Sequence, residues 1–390
     1  METAKLLKQI KADNKKLFIQ FGGQGSPYLK EITKLYKEEP LLKEFFNTAF
    51  EVIAKIESLK KGDFLIDQGI DLKTWMENPD NPPSDDYLCR GSVSVLMIFL
   101  TQVAHYHLAV LKGLHIPDLK GSLAGFTGHS QGIISAAMAG LLKDGKDFYK
   151  TLYDFSLFIF HLGYRAQEKY PKFVVEQSII DANLANGDKN PAPMVAVIGY
   201  NKQELEDRID SANKDLGLTG ADKLYISLYN TPDSMIISAK PESLLKFRTH
   251  FKSEMDAKKV KFVYLKTTSP FHCPLMEGSW EKFQADLKTV SPFPYSAKDL
   301  QVPVYSIYDG KDLRTVPDLA EVLFKEVVIM ALHWDKAVGV LFMDSQISHV
   351  IDCGPSVVSG RLTGGQLTAK GVTTPVYCLA NPKDLKNIFD

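Results

Sequence analysis

The stretch Gly128-His129-Ser130-Gln131-Gly132 places the tightest constraint on how this chain can fold. An apolar run, Leu123-Ala124-Gly125-Phe126-Thr127, leads into it, and a stretch of small and apolar residues, Ile133 to Leu142, leads out. The pattern predicts strand, sharp turn and helix, with a serine at the apex. A turn of this kind holds the hydroxyl clear of its own backbone and presents the next N–H groups at a helix N-terminus. Small residues are needed on both sides because strand and helix meet closely there. The plainer use of the same residues is a glycine-rich turn with a capping serine, so the motif asks for partners elsewhere.

A nucleophilic serine needs a base. Of nine histidines, His105, His107, His115, His161, His250, His333 and His349 fall in helical or surface-like stretches and read as structural. His272 stands apart, in Thr268-Ser269-Pro270-Phe271-His272-Cys273-Pro274, just after the apolar strand Phe262-Val263-Tyr264-Leu265. Two prolines stiffen this loop at a strand end, a place that commonly carries catalytic groups. A neutral imidazole there can take a serine proton and return it to a leaving thiol. A third signal is Leu17-Phe18-Ile19-Gln20-Phe21, read as a buried strand ending in Gly22-Gly23-Gln24-Gly25-Ser26. Such a loop can cradle phosphates, but it lacks both the Lys-Ser/Thr pair of the P-loop and the spaced third glycine of the dinucleotide fingerprint. Two uses remain: an oxyanion hole in which the N–H of Gln24 faces that of Gln131, or a plain turn.

The periodicity predicts an α/β protein in which a hydrolase-like domain, 1–192 and 269–390, is interrupted by a smaller one, 193–268. Strand-like and helix-like stretches alternate from Leu17 to Tyr170 and point to a layered sheet. A polar run, Asp181 to Asp188, reads as a linker. Strand (Met194 to Gly199), helix (Lys202 to Lys214), strand (Leu224 to Tyr229), a tight Asn230-Thr231-Pro232-Asp233 turn, strand (Ser234 to Ala239), helix (Glu242 to Met255) and strand (Lys261 to Leu265) follow. That βαββαβ order is the ferredoxin-like signature. The larger pattern resumes with strands near Val302 to Tyr308 and His349 to Asp352. His272 thus enters as the chain returns from the small domain, and the cleft between the two is the natural site.

Composition removes other classes. A 45% apolar chain of 390 residues can bury a sizeable core, and a net charge of −1 offers no field for nucleic acid. Cys89, Cys273, Cys353 and Cys378 are scattered, which supports neither a disulfide framework nor a zinc site, and no metal is expected; nor is a cofactor. The charged N-terminus lacks a secretory core, and the run Val93 to Val103 is too short and too polar at its ends to span a bilayer. A cytoplasmic protein without membrane partners is the expectation, and an initial methionine without flanking linker mildly favours a free-standing enzyme.

Phe-Gly-Gly-Gln-Gly at 21–25, Gly-His-Ser-Gln-Gly at 128–132, Ser-Pro-Phe-His at 269–272 and Asp352-Cys353-Gly354-Pro355 together resemble the acyl-CoA:acyl-carrier-protein transacylases. Within that family the resemblance is greatest to the acetyltransferase domain of the fungal-type fatty acid synthase β chain. It extends through Asp67-Gln68-Gly69-Ile70-Asp71-Leu72, Gln102-Val103-Ala104-His105-Tyr106, Gly163-Tyr164-Arg165 and Val302-Pro303-Val304-Tyr305, from about Leu17 to Ala380. The resemblance implies acyl transfer from coenzyme A to the phosphopantetheine thiol of an acyl carrier protein, in fatty acid or polyketide biosynthesis. Ser130 would be nucleophile, His272 base, and Gln24 and Gln131 oxyanion donors. His129 would support substrate binding or the turn, and Phe271 would limit acyl length. No carboxylate is called for: a backbone carbonyl shortly before a late tryptophan orients the imidazole, and carried over that position is Val327, seven before Trp334. Malonyl-transferring relatives carry an Arg-Gly pair that clamps the malonyl carboxylate. The matching pair here is Leu162-Gly163, which implies an uncharged acyl group, with Arg165 read as structural. The alternatives are malonyl transfer, a serine thioesterase, a patatin-like hydrolase using Asp309-Gly310, and an idle scaffold.

Overall fold

A computed structural model describes residues 2–24 and 27–390. Gly25 and Ser26 of the first glycine-rich motif lie outside the described residues. Among the described residues, nine strands form two sheets. The first has the order β2-β1-β8-β9, all parallel, from β1 (Lys16–Phe21), β2 (Leu123–Gly128), β8 (Ile347–Asp352) and β9 (Val376–Cys378). β1 and β2 are almost wholly buried, as expected for a parallel sheet covered on both faces. The 91–111 helix (Gly91–Leu111) is long and apolar enough to cross a membrane, longer than the run read from sequence, yet it is buried from Gly91 to Ala109 in the core of the large domain. It packs lengthwise on the 145–169 helix (Gly145–Lys169), where a Cβ on Gly163 would lie 2.4 Å from the Gly91 carbonyl.

The second sheet contains β3 (Met194–Ile198), β4 (Tyr225–Thr231), β5 (Ser234–Ser238) and β6 (Lys261–Tyr264), in the order β6-β3-β5-β4 and antiparallel throughout. This is the ferredoxin-like arrangement expected from the βαββαβ pattern. The period-two alternation sorts its side chains. Val195, Val197, Met235 and Ile237 enter a separate core under the helices, while Met194, Ala196, Leu228 and Ile236 join the large-domain core cluster on the other face.

Three expectations need correction, and one strand lies outside the expected pattern. The run Asp181 to Asp188 is no linker: it lies mostly in a helix, Gln177–Ala185, whose Asn183 accepts the Tyr264 hydroxyl at 2.8 Å, and Asp188 is a buried partner of Arg248 at 3.0 Å. The segment 302–308 forms no strand, only isolated bridges from Val304 to Phe126 of β2 and from Tyr305 to Asp312, since Pro303 has no N–H to extend the ladder on β2. The helix from 242 to 255 is two helices, Pro241–His250 and Lys252–Lys258, divided at Phe251. A fifth strand, β7 (Leu332–His333), pairs in parallel with β4, so the large domain contributes an edge to the small sheet.

Candidate active site

Three chain segments converge at the carboxyl ends of the parallel strands, where α/β sheets hold their ligands. The His129 N–H donates to the Phe21 carbonyl at 2.7 Å, and the Gly22 N–H to that of Gly354 at 2.8 Å. The crowding explains the glycines. A Cβ on Gly128 would lie 1.9 Å from the carbonyl carbon of Gly132, and one on Gly132 would lie 2.3 Å from the Gly22 carbonyl oxygen. Between them Ser130 adopts the left-handed conformation, φ +54°, which an L-residue takes only when its surroundings enforce it.

The Ser130 hydroxyl donates to Nε2 of His272 at 2.7 Å. The other ring nitrogen, Nδ1, lies 3.0 Å from the carbonyl oxygen of Met330. A carbonyl only accepts, so Nδ1 carries the proton and Nε2 is left as the acceptor a general base requires. The orienting carbonyl is therefore Met330 rather than Val327, whose side chain is an ordinary core valine. The reason is the ending of the helix Leu319–Val328: the N–H groups of Ile329 and Met330 both return to the Lys325 carbonyl, at 2.9 and 2.8 Å. That tight winding turns the Met330 carbonyl to the imidazole, while the neighbouring Val328 carbonyl takes the His272 N–H at 2.9 Å. His272 is itself left-handed, φ +60°. Burial lowers its pKa to about 4, with the Met330 carbonyl opposing and nearby His129 adding to the fall.

His129 also lines the cleft. Its Nε2 donates to Oδ1 of Asn230 at 2.7 Å, a residue of β4, and its ring stands edge-on to Trp334 at 5.2 Å. Burial brings it to about 4 as well. Sequence reading missed Asn230, placing it in a turn; a polar residue at a strand end beside a cleft was the available signal. Gly23 abuts the nucleophile turn so closely that a Cβ would be 2.8 Å from Nδ1 of His129. Gln24 borders the cleft too, its side chain donating to Oγ of Ser94 at 2.5 Å. Gln131 occupies the N-cap position of the helix Gly132–Gly140 without a side-chain capping bond, and the N–H groups of Gly132, Ile133 and Ile134 donate to the carbonyls of His129, Ser130 and Gln131.

The cleft between the domains measures about 310 Å³. Its walls are largely apolar, with Met194, Ala196, Leu228 and Ile236 from the small sheet facing Ser130, and Phe271 beside the base. Leu162 does not reach it: the side chain is fully buried in the large-domain core. Arg165 is held away by a bidentate pair to Asp286, 2.6 Å to each oxygen, and by Glu168 at 2.9 Å, in keeping with a structural role. The one charged side chain on the cleft wall among the described residues is Lys266, paired with Asp85 at 2.8 Å. Asp309 bonds Lys311 and has no contact with Ser130. No group of three or more His, Cys, Asp or Glu among the described residues is placed to hold a metal.

A family profile described as starter unit:ACP transacylase in aflatoxin biosynthesis matches residues 19–272, reaching from β1 to the histidine of the dyad. The chain belongs to this transacylase family. Among its relatives, the fatty acid synthase subunit beta of Saccharomyces cerevisiae is 27% identical over 375 residues, 91% of this chain. That of Schizosaccharomyces pombe is 29% identical over 377 residues, 92% of this chain. In each case the match spans only 18% of the relative's own length. Solved transacylases share the fold: a malonyl-CoA:acyl carrier protein transacylase from Xanthomonas oryzae pv. oryzae gives a TM-score of 0.68 at 18% identity, covering 96% of this chain and 97% of that one. A malonyl-transacylase solved in complex with its type II polyketide acyl-carrier protein gives 0.64 at 18% identity, covering 95% and 98%. The family is one of acyltransferases, and its α/β fold is the one described above.

Proposed function

We propose that the chain moves a short uncharged acyl group, acetyl favoured, from coenzyme A to the phosphopantetheine thiol of an acyl carrier protein through an ester on Ser130. The observation that carries this is the Ser130–His272–Met330 chain of hydrogen bonds at the floor of an apolar cleft. Nε2 of His272 takes the hydroxyl proton as Oγ attacks the thioester carbonyl. The N–H groups of Gln24 and Gln131 stabilise the oxyanion, one such donor being worth about 3 kcal/mol of barrier. The carbon–sulfur bond then breaks, and the coenzyme A thiolate recovers the proton from His272. The carrier thiol reverses these steps: its proton passes to Nε2, its sulfur attacks the ester, and Oγ is released as the hydroxyl. A carrier-protein acceptor is supported by the family and by the neighbour solved with its carrier protein.

The preference for an uncharged acyl group is supported by Arg165 being committed to Asp286 and by the apolar cleft walls. A malonyl carboxylate would be stripped of water there, losing charge-assisted hydrogen bonds each worth about 1.5–3 kcal/mol. Lys266 favours the second reading, malonyl transfer, because it is a cation at the same cleft. The deciding experiment exposes the enzyme to equal acetyl-CoA and malonyl-CoA and weighs the Ser130 adduct by mass spectrometry. An acetyl adduct in at least tenfold excess is expected. Equal or dominant malonyl loading overturns the acetyl reading, and its loss in Lys266→Ala would assign the clamp.

A further inference from the structure

We propose that Gln167 is a positioning residue for the base: it fixes the upstream end of the His272 loop through Thr268. The side chain of Gln167 is fully buried, near the end of the 145–169 helix, and three of its four hydrogen-bonding directions are used. Its Oε1 accepts the Gly91 N–H at 2.8 Å and the Thr268 hydroxyl at 2.6 Å, while its Nε2 donates to the Tyr170 carbonyl at 2.7 Å. The Gly91 N–H also lies 3.3 Å from Oγ of Thr268. A glutamine amide has one oxygen, and here both lone pairs are filled by donors from two other segments, which fixes its orientation.

Thr268 is four residues before His272, and the loop between them carries strain. His272 holds a positive φ that its surroundings must impose. Downstream, the Val328 and Met330 carbonyls grip the backbone and ring of His272, and from the small domain the Ser238 hydroxyl donates to the Phe271 carbonyl at 2.8 Å. Those contacts fix the histidine from below and from the side. The Gln167–Thr268–Gly91 knot supplies the third direction. It also sets Phe271 against the start of the 91–111 helix, where a Cβ on Gly91 would stand 3.3 Å from the phenyl ring. Releasing this anchor lets Nε2 drift from the serine and admits water to the imidazole. A displacement of about 1 Å at a reacting group can cost on the order of 10²-fold in rate.

This inference rests on the Ser130–His272 reading above, so the test uses a probe that needs no acyl-CoA. A neutral fluorophosphonate labels Ser130 only when the base is in place, and its second-order labelling rate is followed from pH 4 to 8. Thr268→Val removes the hydroxyl and keeps the shape. It is expected to slow labelling at least tenfold and to move the half-maximal pH upward from about 4, because a wetter imidazole is easier to protonate. The titratable group that bears on this midpoint is His129, which faces His272 and is not altered; Lys266 on the cleft wall is also unchanged. Thr268→Ser should restore rate and midpoint. Gln167→Leu should act in the same direction, and adding Thr268→Val to it should slow labelling no further, the non-additivity expected of one shared interaction. Wild-type rate and midpoint in Thr268→Val would overturn the proposal even if Gln167→Leu does not fold. Failure of the native enzyme to label would instead overturn the dyad itself.

Discussion

The low pKa of His272 makes a quantitative prediction about how acylation depends on pH. Burial favours the neutral imidazole and lowers its pKa from 6.5 to about 4. For a base the sign is direct: the working form is the neutral one, present above the pKa and lost as pH falls through it. At pH 5 a group titrating at 4 is about 90% neutral, whereas one at 6.5 is about 3% neutral. The structure therefore predicts that the acylation rate at pH 5 stays close to its value at pH 7, where a solvated histidine would have lost about 25-fold. The measurement is the single-turnover rate of Ser130 acylation by acetyl-CoA between pH 4 and 8, after brief pH jumps. Brief exposure matters because His129 and His272, both held neutral, destabilise the fold as pH falls from 6.5 towards 4: the unfolded chain takes up protons that the folded chain refuses. A half-maximum near 6.5 would refute the account, since it would mean water reaches the imidazole in the acyl-CoA complex.

Other outcomes follow from single contacts. Ser130→Ala should give no covalent acyl adduct by mass spectrometry, and His272→Ala should stay folded while acylating several orders of magnitude more slowly. Gly23→Ala should cut acylation on the order of 10²-fold, the loss of one oxyanion donor, because a Cβ 2.8 Å from His129 forces the 22–24 loop off the nucleophile turn; a rate within threefold of wild type would dissociate that loop from the chemistry. Glu326 is buried against the Ser306 hydroxyl and the Ile307 N–H, and its carboxyl is pushed from 4.5 to about 7, mainly by burial. A raised acid pKa contributes stability below pH 4.5 that is lost as pH rises through 7, so Glu326→Gln should gain about 2 kcal/mol more at pH 8 than at pH 5 in urea unfolding.

What could be read from the sequence was what local chemistry writes into side chains. The nucleophile turn was legible because a close strand-to-helix approach demands Gly128 and Gly132, and the small sheet because its alternation assigns each residue a face. Met330 was not legible, since it acts through its backbone oxygen, and only the winding after Val328 decides which carbonyl meets the imidazole. Asn230 was hidden for another reason: its partner, His129, is 101 positions away and on the other domain. β7 and β9, at two and three residues, are too short to carry a period. Leu162 marks the opposite failing. Its correspondence to the clamp position of malonyl relatives was read from sequence, but the side chain is sealed in the core, so any selection it exerts acts through how the 145–169 helix packs rather than by touching the cleft.

The neutral orienting group suits the proposed chemistry in a way a carboxylate would not. In a serine–histidine–aspartate triad the carboxylate stabilises the imidazolium, which helps expel a poor leaving group such as an amine. Here the partner is the Met330 carbonyl, which fixes the tautomer without adding charge, and burial leaves a base of low pKa. A weak base gives a strongly acidic imidazolium, and that acid returns its proton readily. The leaving group of a thioester is a thiolate, whose conjugate acid has a pKa near 8.5, so departure needs little help and proton return is downhill. When a carrier thiol attacks the ester, its proton, with a pKa of about 8.5, is far easier to remove than that of water, at about 15.7, so the same base serves sulfur better than water. An apolar cleft that admits little water around its base therefore favours exchange between thiols over hydrolysis. The favoured reaction is one in which acyl-Ser130 waits for a second thiol.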